Sequence, residues 1–198
     1  MENKLVHCKG FDPELNINSK VLILGTLPPI ERDWYYKNDW MFWRIIRKSV
    51  NTDYNLTQSS PIDLKKQILL ENKIALWDII NSADRVNGSR KDKDIKNRIP
   101  NDIKQELEKR KSNISAIIIN GYNKKDKNSA FKWFKEFNND VSDKPIIDKE
   151  ISEESFYFEW NNIKVYPLRA TSAINQLKNS TPIDYEDLWI KTIKKYIK

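Results

Sequence analysis

Four short apolar runs punctuate the chain: Lys20–Gly25 (KVLILG), Lys73–Asp78 (KIALWD), Ser115–Gly121 (SAIIING) and Ile163–Leu168 (IKVYPL). Each is apolar without alternation and about five residues long, the pattern of a strand covered on both faces. Helical patterns fill the spaces between them. Ser60-Pro61-Ile62-Asp63 reads as an N-cap serine, a proline at the first helical position and an acid in the first turn, and Thr181-Pro182-Ile183-Asp184 repeats that grammar. Ala130, Phe131, Phe134 and Phe137 fall on one helical face, as do Trp189, Ile193, Tyr196 and Ile197, so these rings belong to a core. Residues Asn138–Asn162 lack that periodicity, and SFYFEW within them reads as an extra strand or hairpin. Asn87–Asn97 reads as a charged loop.

Strands alternating with helices predict an α/β fold. The expected form is a three-layer α/β/α sandwich with a central, mainly parallel four-stranded sheet of Val21–Gly25, Ile74–Trp77, Ile117–Asn120 and Lys164–Tyr166. No linker or internal repeat interrupts it, so residues 1–198 are expected to form a single domain. Ligands of such folds bind beyond the carboxyl ends of the strands. Those ends read Gly25-Thr26-Leu27-Pro28, Trp77-Asp78, Asn120-Gly121 and Leu168-Arg169-Ala170-Thr171-Ser172, and two of the four glycines stand there.

Charge and composition narrow the chemistry. A net charge of +7, from 35 Lys and Arg against 28 acidic residues, suits a polyanionic partner or a biased composition alike. No run approaches the ~20 apolar residues that cross a bilayer, and MENKLVHCKGF lacks the apolar core of a signal peptide, which predicts a cytoplasmic protein. Cys8 is the lone cysteine, so an internal disulfide is excluded. His7 is the lone histidine and lies in a region expected to be peripheral, which makes histidine-based metal sites and triads poor candidates. No GxGxxG or GxxxxGK[ST] loop occurs to cradle a nucleotide cofactor. Strand-end amides, hydroxyls, a carboxylate and many rings remain, an inventory suited to a flat base.

The order of several segments carries a family resemblance. LILGTLPP followed by WYY and FWRI, then IALWDII with NGS and DIKNRIPNDI, then IIINGYNKK and YPLRATSAIN, resembles the hypoxanthine-DNA glycosylase-like branch of the uracil-DNA glycosylase superfamily, from about Val21 to Asn175. The resemblance implies a monomeric enzyme, needing neither metal nor cofactor, that flips a modified base out of single- or double-stranded DNA and hydrolyses its N-glycosidic bond. Leaving-group departure would make the sugar cationic and the base anionic.

The resemblance also suggests roles. Thr26 and Leu27 follow the first strand beside the base, and Pro28 stiffens the wall against DNA. Leu27 stands where many superfamily members carry a water-positioning Asp or Asn, and leucine cannot take that role. Hypoxanthine-type members use an asparagine after the aromatic pair instead. In Tyr35-Tyr36-Lys37-Asn38-Asp39-Trp40-Met41-Phe42-Trp43 that place falls on Asn38 with a small deletion and on Trp40 without one, and Asp39 is the alternate; Asn38 and Asp39 also suit the cap of a helix starting near Trp40. Tyr36 or Tyr35 corresponds to the ring that stacks on the base, the other of the pair facing the core. Asp78 is placed to read the base edge, or to bond loop amides. Arg169, Thr171, Ser172 and Asn175 match the segment that presses on the DNA backbone. A non-catalytic base-sensing module on the same fold and a small-molecule α/β enzyme are the competing expectations.

Overall fold

A computed structural model describes residues 4–50, 55–124, 129–174 and 183–198. The four apolar runs form strands where expected: β2 (Val21–Gly25), β3 (Ile74–Asp78), β6 (Ala116–Asn120) and β9 (Ile163–Leu168). They lie side by side and parallel in the order β3-β2-β6-β9. Every residue of β2 and β3 is buried, which is why neither strand shows alternation.

The sheet has six strands, two more than expected. After β9 come β8 (Phe156–Trp160) and the two-residue β7 (Ile146–Ile147), both joined by antiparallel pairing. SFYFEW is therefore an added strand. The turn from β8 to β9 uses Asn161 and Asn162 at φ 49° and 63°, the left-handed pair that a two-residue hairpin requires.

A second, antiparallel sheet was not foreseen. It joins β1 (Leu5–Lys9), β4 (Ile80–Val86) and β5 (Ile95–Pro100) in the order β1-β4-β5. The expected charged loop thus ends at Ile95, and Asp92–Asp94 within it forms one 3₁₀ turn. His7 lies on β1 and meets Asp84 of β4 at 3.0 Å.

Five helices are described: α1 (Trp40–Ser49), α2 (Ile62–Glu71), α3 (Ile103–Lys109), α4 (Ala130–Phe137) and α5 (Tyr185–Ile197). Ala130, Phe131 and Phe134 on α4, and Trp189 and Ile193 on α5, are buried as their spacing predicts. At α2 the cap differs from expectation. Pro61 precedes the helix, and the Ser60 hydroxyl instead accepts from the Thr57 amide at 3.0 Å. Thr181 and Pro182 lie outside the described residues, while Asp184 caps α5 by accepting from the Asp187 amide at 3.0 Å. Among the described residues no helix is long and apolar enough to cross a membrane.

Candidate active site

A cleft of about 350 Å³ opens at the carboxyl ends of β2, β3, β6 and β9. Its first wall is the loop after β2. The Gly25 carbonyl accepts from Ile79 N at 2.9 Å, and the Thr26 carbonyl from Ile80 N at 3.0 Å. The Leu27 carbonyl accepts from the buried Arg85 guanidinium at 2.8 Å, which also donates to Ser89 O at 3.0 Å. All three carbonyls are therefore turned toward β4 and the loop beyond it. In a trans peptide N–H and C=O point oppositely, so the Thr26 and Leu27 amides are directed away from β4. The Thr26 hydroxyl donates to Asp92 at 3.2 Å, and the Leu27 side chain is buried.

The floor is built where Gly25 and Asp78 stand opposite each other on β2 and β3. A Cβ on Gly25 would sit 2.6 Å from Asp78 Oδ1 and 3.0 Å from the Tyr36 hydroxyl, so a side chain there would displace both groups. Asp78 is 4% exposed. Burial pushes its carboxyl up to about 7, with Asp92 adding to the rise and Arg32 and Arg85 opposing it. Among the described residues Asp78 Oδ2 and the Tyr36 hydroxyl have no well-formed hydrogen bond, although the Asn120 side chain lies close enough to the phenol to favour its ionised form. Burial, and then the Asp78 charge, also raise the Tyr36 phenol above its ordinary range.

The adjacent tyrosines take different jobs. Tyr35 is buried and its hydroxyl reaches the Phe11 and Asp12 carbonyls, at 3.2 and 2.9 Å. Tyr36 adopts φ 47°, its carbonyl accepting from Asp39 N (2.9 Å) and Trp43 Nε1 (2.8 Å). That tight turn lays the Tyr36 ring on Phe42, centroids 3.9 Å apart and 13° from parallel.

The same turn brings Asp39 to the cleft. Asp39 Oδ1 caps α1 by accepting from Phe42 N at 3.0 Å, and Oδ2 accepts from the Thr171 hydroxyl at 2.6 Å. Asn120, at the end of β6, fixes Thr171 in turn: its Oδ1 accepts from Thr171 N at 2.9 Å and its Nδ2 donates to Thr171 Oγ1 at 3.3 Å.

Asn38 is exposed and does not line the cleft, because the Tyr36 turn presents the next residue instead. The Thr171 hydroxyl is held between Asp39 and Asn120, whereas Ser172 is exposed on the rim. Arg169 lines a smaller neighbouring hollow with Tyr122 and Tyr185, its guanidinium 5.8 Å from the Tyr185 ring centre. Asn175 lies outside the described residues. Pro28, Pro29, Arg32, Tyr35, Arg90, Asp92 and Ala170 complete the cleft, and Arg90 pairs with Glu31. Arg32, Arg90 and Asp92 carried no recognisable motif beyond lying close to glycine- and proline-marked turns. Among the described residues no group of three or more His, Cys, Asp or Glu side chains could hold a metal ion.

No family model matches the chain. It is similar to a protein of Methanosarcina barkeri (strain Fusaro / DSM 804) named hypoxanthine DNA glycosylase, 35% identical over 83 residues, covering 39% of this chain and 49% of that protein. A protein of the same name from Methanosarcina acetivorans is 32% identical over 81 residues, with the same coverage of 39% and 49%. The chain thus spans about half the length of the curated relatives it matches. The solution NMR structure of a Methanosarcina acetivorans protein, provisionally named uracil DNA glycosylase, superposes with a TM-score of 0.65 at 21% identity, over 96% of this chain and 98% of that one. That structure gives the fold, and the likeness to the curated relatives extends over about half of their length.

Proposed function

We propose that the protein is a monofunctional DNA glycosylase, hydrolysing the N-glycosidic bond of a flipped-out hypoxanthine, uracil or other modified base. The observation that carries this is the pairing, in one cleft, of an anchored carboxylate (Asp39) with a buried one (Asp78), whose Oδ2 has no partner among the described residues, beside the Tyr36 ring. A carboxylate offers about four acceptor sites. Asp39 uses two on Phe42 N and Thr171, which leaves acceptor capacity to orient a water molecule and to face positive charge on the sugar. Water adds its oxygen to C1′ as the base leaves with the bonding electrons, and the proton the water sheds passes through Asp39 and solvent to the departed base. The Thr26 and Leu27 amides suit the negative charge that grows on the base. Asp78 accepts a base N–H, and Tyr36 supplies a stacking face worth ~1–3 kcal/mol.

This assigns to Asp39 the part given first to Asn38 by resemblance. Tyr35 lines the wall with its hydroxyl anchored on the Phe11 and Asp12 carbonyls, Thr171 holds Asp39, and Pro28, Ser172, Asn175 and Arg169 remain candidates for the DNA backbone. The enzyme is read as a cytoplasmic monomer that needs no cofactor. A single continuous apolar core drawing on both sheets supports one domain, and helices against the central sheet support the three-layer form.

A base-sensing module without catalysis is the second reading, favoured by the buried Leu27 in the first loop. Single-turnover incubation with duplexes containing deoxyinosine, deoxyuridine or deoxyxanthosine, followed by alkaline strand scission, separates the two. Scission at the modified nucleotide is expected. Salt-sensitive binding of the same duplexes with no abasic product would establish the sensing reading instead.

A further inference from the structure

Six of the seven tryptophans are buried, between 0% and 6% exposed, but Trp40 is 46% exposed. A lone exposed apolar residue is ordinary on a protein surface; the place of this one is not. Trp40 opens α1 immediately after Asp39, a residue of the cleft lining, so its backbone starts the helix at the edge of the cleft. The Arg44 guanidinium, one turn on, lies 5.9 Å from the ring centre. Arg44 and Lys48 both reach the Glu186 carboxylate, at 2.8 and 2.7 Å, so two cations share one acid. The first turn of α1 holds no acidic side chain. A broad, rigid aromatic face with the Arg44 and Lys48 cations behind it fits a nucleobase attached to a phosphate.

We infer that Trp40 is a stacking platform for the DNA base next to the flipped-out nucleotide. The inference rests on the reading of DNA as the substrate. Turning one nucleotide out of a duplex removes a stacking partner from each neighbour, and the Trp40 indole replaces one of them. Arg44 and Lys48 lie along the same helix, where they meet the phosphates of that strand. No hydrogen bond to the neighbouring base is involved, so the platform accepts any base there.

The test uses a duplex in which a tetrahydrofuran abasic analogue replaces the target nucleotide, so that binding is read without excision. Trp40→Ala should weaken binding about 5- to 150-fold, and Trp40→Phe should restore most of it. Removing the flanking base as well, on the 5′ or the 3′ side in turn, should weaken wild-type binding on one side while costing Trp40→Ala nothing more. Quenching of the exposed indole's fluorescence should accompany wild-type binding. Equal affinity of wild type and Trp40→Ala, or losses that simply add, would overturn the platform and leave the glycosylase reading intact. Absence of wild-type binding at low salt would overturn the DNA reading, and the platform with it.

Discussion

At the α1 corner of the cleft both oxygens of Asp39 have partners, whereas at the floor Asp78 Oδ2 has none among the described residues. The two regions solve different problems. Asp39 is capped to a helix and tied through Thr171 to the end of β6, so its position is set before any ligand arrives. Groups fixed in advance are those that act on a transition state, since they reorganise little when charge develops. Asp78 is the reverse: nearly dry and incompletely satisfied. Leaving a buried polar atom unpaired costs ~1–3 kcal/mol, and a ligand with a matching donor recovers that cost. On the proposed function, the corner serves reaction and the floor recognition.

The largest effect should come from breaking the corner. Asp39→Ser keeps a good helix cap but loses the charge and the reach toward the sugar. Single-turnover excision should fall ~100- to 10,000-fold, with Asp39→Asn between it and wild type. If Asp39→Ser excises at the parent rate, the corner is only a cap.

Asp78→Asn probes the floor. It exchanges an acceptor for a donor at constant size, so the ranking of inosine-, uridine- and xanthosine-containing substrates should change. A well-placed polar contact of this kind changes discrimination by ~10- to 1,000-fold. The pH dependence carries the same signature. Asp78 accepts from a base N–H more strongly when ionised, so excision of N–H-bearing bases should rise with pH through about 7, and Asp78→Asn should flatten that rise. Stability should run the other way. A carboxyl raised from 3.8 to about 7 by folding stabilises fully below pH 4, and that contribution is lost as pH climbs to about 7. Denaturant midpoints of Asp78→Asn at pH 5 and 8 should therefore differ less than those of wild type.

Thr171 tests the link that makes the corner rigid. Thr171→Val removes the donor to Asp39 at similar volume and should slow excision ~10- to 100-fold, in keeping with a hydrogen bond to a charged group. Thr171→Ser, which keeps the hydroxyl, should recover most of the rate with binding of the tetrahydrofuran duplex unchanged. Equal rates for the two variants would show that Thr171 merely fills space.

The four parallel strands were legible because burial on both faces leaves unbroken apolar runs, as in VLILG and AIIIN. The small sheet was not. β4 reads INSADRV, with polar residues facing both ways and register shifts against β5, so no clean period of two survives. Its other partner is about 77 residues distant, as His7 and Asp84 mark, and pairing at that range leaves no local trace. Arg85 was hidden for the same reason: nothing near it in sequence indicates that it buries itself against the Leu27 carbonyl. In the site, Asp78, Thr26, Leu27, Thr171 and Tyr36 were recognisable as strand-end chemistry or aromatic neighbours. The choice between Asn38 and Asp39 turned on a single left-handed residue, Tyr36 at φ 47°, and tyrosine gives no hint of that conformation.

The Arg85 contact also bears on the order in which the protein acquires its shape. The loop Gly25–Leu27 is local to β2, yet its three carbonyls close on Ile79, Ile80 and Arg85. Closing a chain segment of some 58 residues is entropically slow compared with forming a turn. The central sheet has therefore to assemble, and β4 to dock beside it, before the wall of the cleft becomes rigid. In a hydrogen-exchange experiment the amides of the β2 core and those of Ile79 and Ile80, which donate to the loop's carbonyls, would then report different opening events.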